Sequence, residues 1–117
     1  MQPVFLYLTA ETREDAETLG RTLVEERLAA CVNILGNISS YYWWDGEVQQ
    51  GAETALIAKT RADLAGAVTD RIRELHGYDC PCVVSLPVVG GNPDFLSWLD
   101  EQTEKHGSGA GKGNVTQ

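Results

Sequence analysis

The amino-acid sequence predicts an α+β domain whose elements follow the order strand, helix, strand, strand, helix, strand. Three observations predict it: short apolar runs alternate with amphipathic stretches of helical period, an Asp-Gly pair joins two extended runs, and residues 3–35 and 52–89 repeat one plan at similar length. This order is the split βαβ arrangement of a ferredoxin-like sandwich, with both helices on one face of the sheet. With 117 residues, the chain is long enough for one domain and too short for two.

The first half supplies a strand, a helix and a second strand. The run "PVFLYLT" at 3–9 is short, apolar and aromatic, which is typical of a buried strand. Thr12 stands before an amphipathic stretch with acids in its first turn, which predicts a helix over about 13–27. The run "AACVNIL" at 29–35 is again typical of a strand, which should end near Gly36.

The middle of the chain predicts a long β-hairpin from about 30 to 60. Asp45 and Gly46 stand between apolar and aromatic runs, and a tight turn needs the positive φ angles that these two residue types tolerate. The predicted sandwich therefore carries a central ribbon that is longer than its other strands.

Four aromatic residues in a row precede the predicted turn. Because side chains alternate along a strand, Tyr42 and Trp44 should point to one face while Tyr41 and Trp43 point to the other. Exposed aromatic clusters of this extent mark assembly interfaces, so we expect other copies of the chain to cover the ribbon. The alternative is that the ribbon folds back on its own domain.

The second half supplies another helix and strand. Thr60 and Asp63 resemble a capping box, and the helix that they begin should end at His76 and Gly77. The run at 81–89 is typical of a fourth strand.

A C-terminal helix follows the four predicted strands. Asn92 and Pro93 are a cap and a first helical residue. We place the domain at 1–105 and expect the Gly-rich polar segment 106–117 to be a disordered tail.

Composition narrows the range of partners. Seventeen acidic against nine basic residues give a net charge of -8, which disfavours nucleic acid and anionic membranes as partners. No apolar run approaches the roughly 20 residues that span a bilayer, and the N-terminus lacks the marks of a signal peptide. We therefore expect a cytoplasmic protein whose three cysteines, an odd number, are free thiols.

Five motifs in order make the chain recognisable. They are "RLAACVNI", the alternating residues Ser40, Tyr42, Trp44 and Gly46, then "ETALIAKT", "HGYDCP" and "FLSWL". Together they resemble the CutA family of divalent-cation tolerance proteins, over residues 3 to about 104. The resemblance implies a ferredoxin-like homotrimer similar in architecture to the PII signalling proteins, with sheet edges paired across subunits. It also implies a link to copper tolerance and response to metal ions, without a defined molecular activity.

Soft metal ligands concentrate in the segment "HGYDCPC" at 76–82. His76, Cys82 and Cys31 are the metal-binding residues that we predict, for a soft or divalent ion such as Cu or Zn. The family's usual motif is His-Pro-Tyr-x-x-Pro-Glu, so Cys82 replaces a glutamate, and Cys80 adds a second thiol one residue away. The alternative roles are a helix end for His76 and small apolar fillers for the cysteines.

A ligand cleft is predicted at a subunit boundary. Glu53 and Lys59 lie six residues apart on one strand and so share a face, with Tyr42 and Trp44 opposite and Tyr78 nearby. An ion pair between subunits is the competing explanation for the two charges.

No catalytic set is evident, so we predict that the protein is not an enzyme. "VVGGNP" lacks the lysine of a phosphate-binding loop, and no Ser-His-Asp order is present. The function predicted is metal tolerance through binding of a metal ion or small molecule at clefts between subunits. The alternatives are a PII-like sensor of a small anionic metabolite and an interaction hub without a ligand.

Overall fold

The predicted order of elements is present in the computed structural model, which describes residues 1–77 and 80–108, with side chains as far as 104. The elements are β1 Pro3–Ala10, α1 Arg13–Glu25, β2 Cys31–Trp44, β3 Glu47–Arg61, α2 Ala65–Leu75, β4 Val83–Pro87 and α3 Pro93–Ser108, with a 3₁₀ turn at Ala62–Leu64 before α2. The four strands form one antiparallel sheet in the order β2-β3-β1-β4. This confirms the ferredoxin-like fold.

The hydrophobic core lies on one face of the sheet. Leu6 and Leu8 of β1 and Leu56 of β3 point to this face and are fully buried. Helices α1 and α2 cover it, with Leu23 and Ile72 as their buried contacts. Because both helices lie on this face, the opposite face, here called the open face, receives no cover from either of them.

Helix α1 begins where its sequence predicts, and a glycine allows it to pack closely on the sheet. The Thr12 hydroxyl accepts a hydrogen bond from the Asp15 backbone N–H at 3.0 Å, so Thr12 is the N-cap. Gly20 lies against β2: a methyl group at its Cα would be 2.9 Å from Cγ1 of Val32. The absence of a side chain at Gly20 therefore allows the helix to approach the sheet closely.

The central hairpin has the predicted turn. Asp45 and Gly46 have φ angles of 54° and 78°, as the two central residues of a primed two-residue turn require. A bulge between Ile34 and Gly36 shifts the pairing of β2 with β3 and leaves Leu35 exposed. The ribbon extends away from the domain, so that the chain measures 49 × 28 × 21 Å. It does not fold back on the chain's own core.

The connection from β3 to α2 differs from the predicted capping box. The Thr60 hydroxyl is fully buried and donates to the Leu28 carbonyl at 2.7 Å, instead of capping the helix. The 3₁₀ turn that intervenes has no side-chain cap at its start. The Thr60 hydroxyl therefore makes a tertiary hydrogen bond instead of the helix cap that the local sequence pattern predicts.

Helix α3 packs against β3 and β1 and is longer than predicted. Arg61 of β3 contacts Asp100 at 3.2 Å, and Arg27 donates to the side chain of Gln102 at 2.8 Å. The helix continues to Ser108, so 106–108 are helical although we expected a disordered tail from 106. The rest of the predicted tail, 109–117, lies outside the described residues.

No helix in the described part of the chain is both long and apolar enough to cross a membrane.

Candidate functional site

A groove of about 670 Å³ lies on the open face, between the base of the hairpin and the start of β4. Its walls come from β1, β2, β3 and the segment before β4. The open-face groove is defined here by Tyr7, Thr9, Glu11, Ile38, Ser40, Tyr42, Trp44, Gly51, Ala52, Glu53, Cys80 and Cys82. Three of the predicted cleft residues, Tyr42, Trp44 and Glu53, therefore line one cavity.

Glu53 is the most firmly held polar group of the groove. Its carboxylate accepts a hydrogen bond from the Ser40 hydroxyl at 2.8 Å and another from the Thr9 hydroxyl at 3.1 Å. Ser40 is on β2 and Thr9 is on β1, so the two strands on either side of β3 hold the carboxylate in place. The negative charge consequently has a defined position, although Glu53 is only partly buried.

The charge of the groove favours a cation. Glu11 and Glu53 both line it, and its described lining contains no Lys, Arg or His. A fixed carboxylate without a basic partner attracts positive charge, and the aromatic faces of Tyr42 and Trp44 also attract cations. The groove therefore has the electrostatic character of a cation site.

The aromatic wall begins with Tyr42, which packs beside Gly51. A methyl group at Gly51 would be 3.5 Å from the Tyr42 hydroxyl oxygen, an ordinary contact distance, so this end of the ring lies next to β3. Trp44, two residues further along β2, continues the wall towards the tip of the hairpin. Both rings remain about half exposed, which leaves the groove open on that side.

Two thiols form the opposite side of the groove. Cys80 and Cys82 are free, exposed and separated only by Pro81. Partial burial in the groove wall raises the pKa of the Cys82 thiol, and the Glu53 carboxylate and Cys80 add to the effect in that order. Cys82 is therefore close enough to Glu53 for the carboxylate to disfavour the Cys82 thiolate electrostatically.

His76 has a structural role at the end of α2. Its backbone N–H bonds the Ile72 carbonyl at 2.7 Å, which makes it the helix C-cap. Its ring Nε2 lies 2.7 Å from the Thr9 backbone carbonyl, an acceptor, so Nε2 carries the proton and donates. That nitrogen is engaged in joining α2 to β1 and is not a metal ligand in this arrangement.

The three predicted metal ligands do not meet within one chain. Cys31 begins the edge strand β2 and pairs with Lys59, whereas Cys82 immediately precedes β4 at the other edge. Three strand spacings, about 14 Å, separate the two edges. In the part of the chain that the structure describes, no three His, Cys, Asp or Glu side chains form a metal-binding group. The order of strands, which the cysteine spacing does not reveal, causes the separation.

Lys59 lies on the predicted face but outside the groove. Six residues of extended strand place it about 20 Å from Glu53. Its ammonium lies 5.2 Å from the ring centre of Phe5 and 5.5 Å from that of Phe95, between two aromatic faces. It therefore helps to attach α3 to the sheet. The fifth cleft residue predicted, Tyr78, lies outside the described residues.

Sequence reasoning missed part of the groove. Thr9 was included only as the end of a strand, yet its hydroxyl holds Glu53 from the neighbouring strand. Ser40 shared the alternating pattern of Tyr42 and Trp44, and this period of two was the available signal that it faces the same side. No local pattern pointed to Thr9, because its contact depends on the pairing of β1 with β3.

Fold and groove together define a small ferredoxin-like domain with a cation-attracting site on the open sheet face. The model of the family described as CutA1 divalent ion tolerance protein matches residues 4–102. The chain belongs to this family, as its motifs predicted.

Relatives from distant organisms match almost the whole domain. The divalent-cation tolerance protein CutA of Archaeoglobus fulgidus is 41% identical over 100 residues, which are 86% of this chain and 97% of that protein. The protein of the same name from Thermus thermophilus is 43% identical, over 88% of this chain and 99% of its own. The chloroplastic CutA 1 of Oryza sativa is 43% identical, but this chain spans only 58% of its length.

Solved structures show the same fold. The CutA1 structure from Oryza sativa superposes with a TM-score of 0.86 at 43% identity, over 88% of this chain and 94% of that one. The structure described as the periplasmic divalent cation tolerance protein CutA from Archaeoglobus fulgidus gives a TM-score of 0.84 at 40% identity, over 86% and 98% of the two chains.

Proposed function

We propose that this protein is a homotrimer that binds a divalent cation, copper or zinc, in its open-face grooves and so contributes to metal tolerance. The Glu53 carboxylate is the main support, because two hydroxyls fix it in a groove whose described lining has no basic side chain. Family membership supports the tolerance role, since the matching family is described by divalent ion tolerance. In this proposal the protein binds the ion and does not catalyse a reaction.

The donor set suits a borderline or soft ion. Glu53 supplies carboxylate oxygens, and Cys80 and Cys82 supply sulfur, which favours Cu and Zn over Mg and Ca. One chain provides too few fixed donors for a closed four-ligand site among its described residues. A second copy of the chain is therefore proposed to complete the coordination, which links metal binding to assembly.

The hairpin supports the proposed assembly. Trp43 is 73% exposed on one face of the ribbon and Trp44 is 50% exposed on the other. Large aromatic groups on both faces of a projecting ribbon are costly to leave in water, and neighbouring copies would bury them. The exposed edges of the sheet, β2 and β4, would also be covered in a closed ring.

Calorimetric titration with Cu²⁺ and Zn²⁺ tests the cation site. Glu53→Gln keeps the shape of the side chain but removes its charge, so we expect at least tenfold weaker binding. Lys59→Ala is the matched control on the same face of β3; it lies outside the groove and should leave the affinity unchanged. Equal affinity of wild type and Glu53→Gln for both metals would rule out the groove as the cation site.

The thiols are tested separately from the carboxylate. Cys82→Ser should weaken Cu²⁺ binding by about tenfold or more, while Cys31→Ser, at the far edge of the sheet, should not. If Cys31→Ser alone weakened binding, the metal would lie at a different boundary between copies.

Among the alternative functions, binding of an anionic metabolite beside Lys59 is disfavoured, since the Lys59 ammonium group lies between two aromatic rings.

The proposed location is the cytoplasm, which the three free thiols support because disulfides are rare there. The names of relatives mention different compartments, one periplasmic and others chloroplastic, so these names do not decide the location of this protein. Cell fractionation with an antibody to the chain is the direct test, and recovery outside the cytoplasm would contradict the proposal.

A further inference from the structure

Cys80 and Cys82 form a dithiol on one side of the open-face groove, separated by a single proline. We infer that this pair is a thiol–disulfide exchange site, which a low-molecular-weight disulfide such as oxidised glutathione converts to an intrachain Cys80–Cys82 disulfide. The inference goes beyond cation binding and does not rest on it, because the chemistry needs only the two sulfur atoms and the oxidant.

The spacing of the two cysteines permits closure. Two residues of extended chain span at most about 7 Å between Cα atoms, and disulfides commonly join Cα atoms up to about 6.8 Å apart. Pro81 fixes its own φ angle and restricts Cys80 to extended conformations, so the pair is held near this limit. Both side chains line the same cavity, so the two thiols are on one side of the segment. A small bend at the segment suffices to join them.

Exposure gives the oxidant access. Both thiols are exposed, and neither is in a disulfide or inside a strand or helix whose hydrogen bonds would resist the bend. Cys31 is also free but differs in exposure and position: it is half-buried, lies within β2 and donates weakly to Asn33 over 3.9 Å. It therefore serves as an internal control thiol at the far edge of the sheet, at least about 14 Å away.

The two cysteines have different parts in the exchange. Cys80 attacks one sulfur of the small disulfide as thiolate; its Sγ–S bond forms, the S–S bond breaks, and one small thiol leaves with the proton from Cys80. The Cys82 thiolate then attacks Cys80 Sγ: the intrachain S–S bond forms, the mixed disulfide bond breaks, and the second small thiol leaves with the proton that Cys82 lost. Two protein thiols are oxidised and one disulfide is reduced to two thiols, so atoms and electrons balance.

The spacing gives Cys82 the second step. Cys80 and Cys82 line the same groove and are separated by one residue. Once Cys80 holds the mixed disulfide, the Cys82 sulfur is therefore the nearest nucleophile to Cys80 Sγ, and proximity favours its attack over that of a second small thiol.

Intact-mass measurement of the assembled full chain tests the inference. The protein is treated with oxidised glutathione, then denatured, and its remaining thiols are blocked with N-ethylmaleimide. Wild type should lose about 2 Da, the two hydrogen atoms of disulfide formation, and take up a single maleimide at Cys31. Trypsin cleavage at Arg73 and Lys105 releases Cys80 and Cys82 together in one peptide, separate from Cys31. The loss should map to that peptide and be reversed by dithiothreitol.

Single serine variants give the matched controls. Cys82→Ser should retain a glutathione adduct of about 305 Da on Cys80, because no second thiol displaces it. Cys31→Ser should form the disulfide as wild type does and bind no maleimide. Three blocked thiols in oxidised wild type, a stable glutathione adduct there, or a disulfide between chains would each overturn the inference. None of these outcomes bears on Cu²⁺ binding by Glu53, so the two proposals fail independently.

Discussion

The hairpin tryptophans offer the sharpest test of assembly, through the double variant Trp43→Ser, Trp44→Ser. A tryptophan side chain presents up to about 250 Å² of surface, so exposures of 73% and 50% leave roughly 300 Å² of the pair in water in one chain. Covering this area contributes up to roughly 7.5 kcal/mol per chain at 25 cal/mol per Å². Immobilisation costs reduce the gain. We therefore expect the double variant to dissociate at about 100-fold higher protein concentration than wild type, which for a trimer corresponds to about 5.5 kcal/mol per trimer.

Sedimentation velocity over a dilution series measures this shift, with Val89→Ser as the control. Val89 is fully exposed in the loop after β4, so its replacement removes an apolar side chain without touching the ribbon. The double variant should shift to lower mass while keeping the circular dichroism of wild type, since neither tryptophan belongs to the core. An unchanged mass for the double variant across the series would refute the assignment of the ribbon to the interface.

Two further predictions concern packing and pH. Gly20→Ala should destabilise the fold by about 1 kcal/mol net, because overpacking against β2 outweighs the higher helix propensity of alanine. Gly66→Ala in α2, where a methyl group meets nothing within 4 Å, should instead stabilise the fold by up to about 1 kcal/mol. Urea unfolding of both variants measures the sign of each change. A Gly20→Ala variant as stable as wild type would contradict the close approach of α1 to β2. Because the Cys82 pKa is raised, alkylation of Cys82 by iodoacetamide should be slow at pH 8 and accelerate at higher pH. Glu53→Gln removes one cause of the raised pKa and should shift that acceleration to lower pH; an identical pH profile would show that the carboxylate does not act on the thiol.

Local patterns predicted the elements well because their causes are local. Thr12 caps α1 with its own hydroxyl, and Asp45 and Gly46 adopt the positive φ angles of their turn without help from distant residues. The exposure of Trp43 and Trp44 on opposite faces likewise follows from strand alternation. In each case the determining residues lie within a few positions of one another.

Sequence patterns did not predict the contacts between side chains on different strands. Glu53 was predicted to line a cleft with Tyr42 and Trp44, and it lines the open-face groove with them. Its hydroxyl partner Thr9, however, depends on how β1 pairs with β3. Lys59 shares that face, yet its distance from Glu53 and its aromatic neighbours separate it from the groove. Strand order also separates Cys31 from Cys82. Alternation predicts the face of a side chain, while its neighbours depend on the order of strands.

Native mass spectrometry of the protein with added Cu²⁺ or Zn²⁺ tests the central claim most directly, because it measures assembly and metal content together. We expect a trimer that takes up one cation per groove, and a Glu53→Gln trimer of the same assembly state that takes up fewer cations. A folded single chain, or a wild-type trimer that stays free of both metals, would contradict the account.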